Sequence, residues 1–214
     1  MFMRILSALL LCGCILSCQE RKQSFTDKQK EIETGKLDPQ NIYSVKEIGW
    51  TVQLPEGWEV MTRKELQAIT DKGKKEMEKT FDTKIDNSGV QQLLSLRKDR
   101  FNSFLSNMQK FDSSEDGTYE ERLLTMNEII RTTYRSKNMK LEDKVGATRI
   151  GGVMFDVLDI KIFTPDDGKK VLLYQSIYSA FINGYDFTMN INYNNNETKE
   201  LLLRMVNSSK FTSP

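Results

Sequence analysis

The chain has no histidine, and its three cysteines, Cys12, Cys14 and Cys18, all fall at the extreme N-terminus. Without imidazole it lacks the commonest general base, the group that titrates nearest neutral pH and the most frequent ligand for zinc or copper. Beyond Cys18 there is no thiol, so Ser-His and Cys-His nucleophilic schemes and Cys/His metal sites are excluded for the folded part. No internal disulfide can form there either, and stability has to come from an ordinary core. An excess of one charge is also missing, with 31 Lys and Arg against 30 Asp and Glu. That balance argues against nucleic acid as a partner. Long apolar runs are short too. The one candidate, Ile5 to Leu16, is broken by Ser7, Cys12, Gly13 and Cys14 and closed by Gln19, Glu20, Arg21 and Lys22. A spanning helix needs roughly 18 to 20 apolar residues, so this stretch suits a signal-peptide core, not a membrane span.

What is present begins with that leader. Arg4 precedes the apolar core, and Ile15-Leu16-Ser17-Cys18 resembles the bacterial lipoprotein box: a branched aliphatic, a small residue, then a thiol that can take a diacylglycerol thioether. Cys18 is the expected lipidation site and residues 1–17 the signal peptide, with Cys14 as a weaker competing attachment point. Each buried acyl methylene contributes ~0.8 kcal/mol, and stable anchoring takes more than one chain, which a mature bacterial lipoprotein carries. Cleavage removes Arg4, the only charge in the leader, and leaves the mature chain formally neutral. Gln19 after the thiol, in place of Asp, points to the outer membrane with the domain facing the periplasm, by the usual rule for enteric lipoproteins.

Residues 18–41 are polar and charged, with Gly35 and Pro39, and are expected to form a tether. The globular domain is expected over 42–214. Trp50, Val52 and Leu54 alternate with Thr51 and Gln53, which predicts a half-buried strand ended by Pro55. Thr62 and Glu65 have capping-box spacing ahead of a helix over 63–81, and Thr118 and Glu121 repeat it ahead of Leu123, Leu124, Ile130 and Tyr134. Strands are expected at 91–98 and 103–111, then a meander at 140–149, 153–163, 169–181 and 185–193. Asn183-Gly184 is the preferred dipeptide of a type I′ hairpin, and the strand before it, KVLLYQSIYSAF, is apolar on both faces and so central. Asn196 is expected to cap a last helix whose Leu201, Leu202, Met205 and Val206 form one stripe.

Taken in order, "GWTVQLPEGW", a helix, a hairpin, a second helix, a meander containing "NGYDFTMNINY" and a closing helix ending "LLLRMVNSSKF" resemble the PsbP-like fold over roughly 42–212. The resemblance implies an α+β domain, an α/β/α sandwich with a central antiparallel sheet. That fold occurs in photosystem-associated extrinsic proteins, in a nuclear transport factor and in many bacterial lipoproteins, mostly without catalytic activity. The metal-binding histidines of some plant members have no counterpart here.

Four sets of side chains are candidate sites. Asp112, Ser114 and Asp116 precede Gly117 as oxygens do at the start of a calcium loop, and Glu120 falls at the ninth place. Leu123 then stands where the bidentate Glu belongs, and acidic residues ahead of a helix also favour its positive end. Asp186, Thr188, Asn190 and Asn192, with Thr51 and Gln53 on a neighbouring strand, form either a polar groove for a ligand or peptide or the solvated face of a sheet. Trp50 is expected in the core, and Trp58, in a turn, is either core or an exposed hot spot. Asp166-Asp167 and Glu120-Glu121 are adjacent carboxylates whose side chains point apart, so no acid-base pair is expected. The sequence thus predicts a non-catalytic, lipid-anchored accessory or binding protein of the bacterial envelope with an envelope protein partner and no cofactor. The competing expectation is a ligand- or calcium-binding module using the 112–121 loop or strand 185–193.

Overall fold

A computed structural model describes residues 23–84, 86–164 and 168–212. The signal peptide, Cys18 with its competitor Cys14, and the Asp166-Asp167 pair lie outside the described residues.

The chain builds two antiparallel sheets. The larger has seven strands in the order β4-β5-β6-β10-β9-β8-β7, from β4 (Glu59–Val60), β5 (Val90–Arg97), β6 (Ser103–Lys110), β7 (Leu141–Ile150), β8 (Val153–Phe163), β9 (Val171–Ile182) and β10 (Tyr185–Tyr193). The smaller joins β1 (Lys36–Leu37), β2 (Ile42–Val45), β3 (Trp50–Gln53) and the C-terminal β11 (Lys210–Phe211). Helices α1 (Phe25–Glu31), α2 (Arg63–Phe81), the short α3 (Ser113–Asp116), α4 (Tyr119–Ser136) and α5 (Asn196–Asn207) complete the fold.

Alternation along β10 sets the layers. Phe187, Met189 and Ile191 are fully buried on one face, where they join Trp50 of the small sheet and Leu202, Met205 and Val206 of α5 in the main core. The opposite face packs Leu158, Ile160 and Ile162 of β8 against Ile130 and Tyr134 of α4 in a second apolar cluster. The architecture is therefore the expected layered α+β sandwich around a central antiparallel sheet, with a small second sheet sharing one outer layer with α5.

Trp50 organises the main core. Its ring lies 4.9 Å from Phe187, 5.5 Å from Tyr43 and 6.3 Å from Phe104, and its indole Nε1 donates to the buried Ser209 Oγ at 3.1 Å. A buried indole needs such a partner, and here the bond also ties the C-terminal segment to β3. Gly49, just before Trp50, has φ +62°, and a Cβ there would come within 1.8 Å of the Thr212 carbonyl oxygen. Only glycine allows β11 this close to the start of β3.

Both expected capping boxes form, at Thr62/Glu65 and at Thr118/Glu121, and α2 runs unbroken through Gly73. Asn183 and Gly184 take positive φ of 51° and 82° between β9 and β10, as a type I′ turn requires. The cap of α5 shifts by one residue, because Asn195, not Asn196, accepts from the Thr198 amide at 2.9 Å.

The main correction concerns the tether. From residue 23 the segment is folded: Ser24 caps α1, the Gln29 side chain accepts from the Leu37 amide at 2.9 Å, and Ile32 and Leu37 are buried at 5% exposure each. Polar contacts to the rest of the domain add to these two apolar anchors. Glu31, for example, accepts from the Arg63 amide at 2.9 Å. The described domain thus begins about twenty residues earlier than its hydropathy pattern shows.

Candidate functional site

The polar row of β10 does come together on one half-buried face, and Asn192 at its end lines a cavity with Ser103 and Leu173. Asp186, Thr188, Asn190 and Asn192 point to the side where α4 packs, and all four are half-buried. Arg122 of α4 donates through Nε to Asp186 Oδ2 at 2.8 Å and through Nη2 to Gln109 Oε1 at 2.9 Å, with both partners of the ion pair under 20% exposed. At the other end Asn192 accepts from Gln175 Nε2 at 3.1 Å and donates to Ser103 Oγ at 3.1 Å, while Gln175 Oε1 accepts from the Tyr134 hydroxyl at 3.2 Å. Burial pushes the Tyr134 phenol up, which keeps it a neutral donor. The row is a hydrogen-bonded seam fastening α4 to the sheet. Asn190 Oδ1 is buried with no hydrogen-bond partner among the described residues. Thr51 and Gln53 do not extend the row, because β3 belongs to the smaller sheet and pairs with β2 and β11.

Of the two readings open for Trp58 the core holds, and one further expectation is corrected. Trp58 is only 3% exposed and belongs to the main core, because the turn after Pro55 folds its indole inward. The 112–117 segment is a helical turn, not an open loop. Asp112 Oδ1 accepts from the Ser114 amide at 2.9 Å and hydroxyl at 2.6 Å, and these bonds hold its carboxyl below the usual carboxylate range. Glu120 lies in the first turn of α4, where it faces the positive helix end. The side chain of Asp116 lies outside the described part. Among the described residues no group of three or more His, Cys, Asp and Glu is placed to hold a metal ion.

A different site lies on the opposite face, where β7, β8 and β9 run past the end of α5. In β9, Tyr174, Ser176 and Tyr178 share one face, as residues two apart in a strand must. The register sets them against Lys161, Asp159 and Val157 of β8 on one side and Tyr193, Ile191 and Met189 of β10 on the other. Farther out, Glu142 and Lys144 of β7 pair with Lys161 and Asp159. Lys199 and Leu203 of α5 form the wall of the resulting cleft, whose volume is about 490 Å³.

The floor of this cleft is built to hold its shape. Tyr174 and Tyr193 stack with ring centroids 5.3 Å apart and planes 6° from parallel. Ser176, 4% exposed, donates its hydroxyl to Asp159 Oδ1 at 2.5 Å. Burial, then the Asp159 charge and the neighbouring Tyr193, push the Tyr178 phenol up to about 12. Burial also raises Tyr193, against the Ser176 hydroxyl, which acts to lower it. Both phenols therefore stay protonated and available as donors at ordinary pH. Charge is distributed unevenly around them. Lys161 pairs with Glu142 at 3.3 Å, whereas Lys144 and Lys199 make no ion pair among the described residues. The cleft thus offers aromatic faces, fixed hydroxyl donors and two uncommitted ammonium groups. The sequence hides it because Tyr174-x-Ser176-x-Tyr178 lies within a strand that reads as apolar on both faces. The signal available was the period of two in residues that each combine a flat or small body with a hydroxyl.

Among the described residues no helix is long and apolar enough to cross a membrane. No protein-family model matches the chain, and no curated protein matches it. Among solved structures it is similar to the solution structure of cyanobacterial PsbP (CyanoP) from Synechocystis sp. PCC 6803, with a TM-score of 0.52 and 12% sequence identity, over 84% of this chain and 98% of that one. At that identity the likeness bears on architecture alone, and on that basis the chain has a PsbP-like fold.

Proposed function

We propose that this chain is a lipid-anchored accessory protein of the bacterial cell envelope, acylated at Cys18 and facing the periplasm from the outer membrane, that works by binding and not by catalysis. The observation that supports binding most directly is the tyrosine-floored cleft beside α5. Tyrosine presents a large rigid surface at low entropic cost and dominates many binding hot spots. Lys144 and Lys199 at its rim favour an acidic segment of a protein partner, and the fixed hydroxyls of Tyr178 and Tyr193 orient it. The leader with its Ile15-Leu16-Ser17-Cys18 box supports the anchor.

The test is capture from detergent-solubilised membranes by the acylated protein, side by side with Tyr174→Ala and Lys199→Glu. Lys199 is exposed, so its variant keeps the core, and because Tyr174 packs on the core and on Tyr193 the melting temperature of Tyr174→Ala is measured beside its capture. A partner held by the wild type and lost at least tenfold by each variant supports the cleft. Equal capture by all three removes it. Radiolabelled fatty acid on the wild type and none on Cys18→Ala checks the anchor separately.

A further inference from the structure

Gln23 closes the outer edge of the large sheet. Its carboxamide pairs with Val60 as a neighbouring strand would: Nε2 donates to the Val60 carbonyl at 3.2 Å, and the Val60 amide donates to Oε1 at 2.8 Å. Val60 lies in β4, the terminal strand of the seven. From this staple onward the chain is fixed, by the Ser24 capping box, by burial of Ile32 and Leu37, and by Arg63, which donates to the Lys30 carbonyl at 3.0 Å. Cys18 is five residues before Gln23. Fully extended, five residues reach at most about 18 Å. The seven-stranded sheet is wider than that, at about 29 Å for six strand spacings. A thioether at Cys18 therefore cannot let the domain float free. It keeps the β4 edge within about 18 Å of its attachment point on the bilayer.

The geometry points to a fixed stance on the membrane: the β4 edge, with the start of α1 and the turn 54–58, faces the phospholipid surface that carries the anchor, and the β7 edge with the tyrosine cleft is held away from it. This rests on acylation at Cys18 and goes beyond the binding role, since it concerns which surface meets lipid. Gln23, Lys28, Pro55, Glu56 and Trp58 line one shallow depression, so α1 and the turn form a continuous face. Phe25, in the first turn of α1 and two residues from the staple, is 42% exposed. Lys28 and Lys30 are outnumbered by Asp27, Glu31, Glu56 and Glu59, so this face has no net attraction for anionic headgroups, and the leash, not charge, brings it down. Across the sheet, β8 is five strand spacings from β4, which sets the cleft about 24 Å from the leashed edge.

The mature chain has no thiol other than the acylated one, so a cysteine introduced at Glu56 or at Lys144 takes a fluorophore at that site alone. The acylated protein, so labelled, is placed in phosphatidylethanolamine–phosphatidylglycerol vesicles that carry a headgroup nitroxide quencher. The Glu56→Cys probe is expected to be quenched several-fold more than the Lys144→Cys probe. A flexible Gly-Ser insertion of roughly twelve residues between Gln19 and Glu20 is expected to abolish the difference. Equal quenching at the two sites with the native leash, or a difference that survives the insertion, overturns the stance while leaving the anchor intact. Protein that fails to float with the vesicles overturns the anchor itself, and the stance with it.

Discussion

Gln23 shows how much one side chain can decide. Its two bonds with Val60 satisfy a backbone amide and carbonyl that would otherwise face outward from the terminal strand, and each such bond contributes about 1 kcal/mol. Gln23→Ala is expected to lower unfolding free energy by about 1 to 2 kcal/mol in urea denaturation, with an unchanged slope. A change confined to the noise of the measurement would show the staple to be incidental. Nothing local in the sequence announces this residue, because its partner lies 37 positions away and glutamine is ordinary in a polar stretch. The sequence leaves Trp58 open between core and surface, and the packing of its turn, Pro55 to Gly57, decides for the core. Trp50, by contrast, could be placed correctly, since it stands in register with Val52 and Leu54 on an alternating strand.

At the scale of elements the legible features were those with a local cause. Capping boxes, the Asn183-Gly184 turn and strands with one wet side each follow from neighbours within a few residues, and each formed where the pattern put it. The short strands of the small sheet did not announce themselves, because β1, β2 and β11 are two to four residues long and owe their existence to long-range pairing. The seam along β10 was half legible: its residues share a face as expected, but that α4 would cover them depends on tertiary packing. The α2 cap has a pH dependence that can be worked out. Burial acts to raise Glu65, but the Thr62 amide and hydroxyl and the Arg97 guanidinium, 2.7 Å away, outweigh it and hold the carboxyl below its ordinary 4.5. A group whose folded value is depressed stabilises above the unfolded value, and that contribution is lost as pH falls through the folded one. Glu65→Gln keeps an acceptor for the cap but cannot ionise. The stability gap between wild type and this variant is therefore expected to be widest at neutral pH and to close as the pH falls through the lowered titration of the folded carboxyl. A gap independent of pH would assign the effect to shape and not to charge.

At the scale of the whole molecule, the order of strands matters more than any one of them. β10 lies between β6 and β9, so it is the piece that joins the β5–β6 hairpin to the β7–β9 meander. A chain ending at Gly184 keeps both parts and loses the join. It is expected to show no cooperative thermal transition, whereas retention of a sharp transition with native near-ultraviolet dichroism would mean that the halves are independent. The layered class was readable from the sequence because the alternation of helices and apolar strands constrains it. This joining order was not, since every strand in the set is compatible with several neighbours.

That interleaving also bears on timing. Until the last stretch of the chain has left the ribosome, β6 and β9 each present a bare, bond-hungry rim, and Trp50 lacks both Phe187 and Ser209 as company. The core around Trp50 can therefore close only once the C-terminal segment has been made.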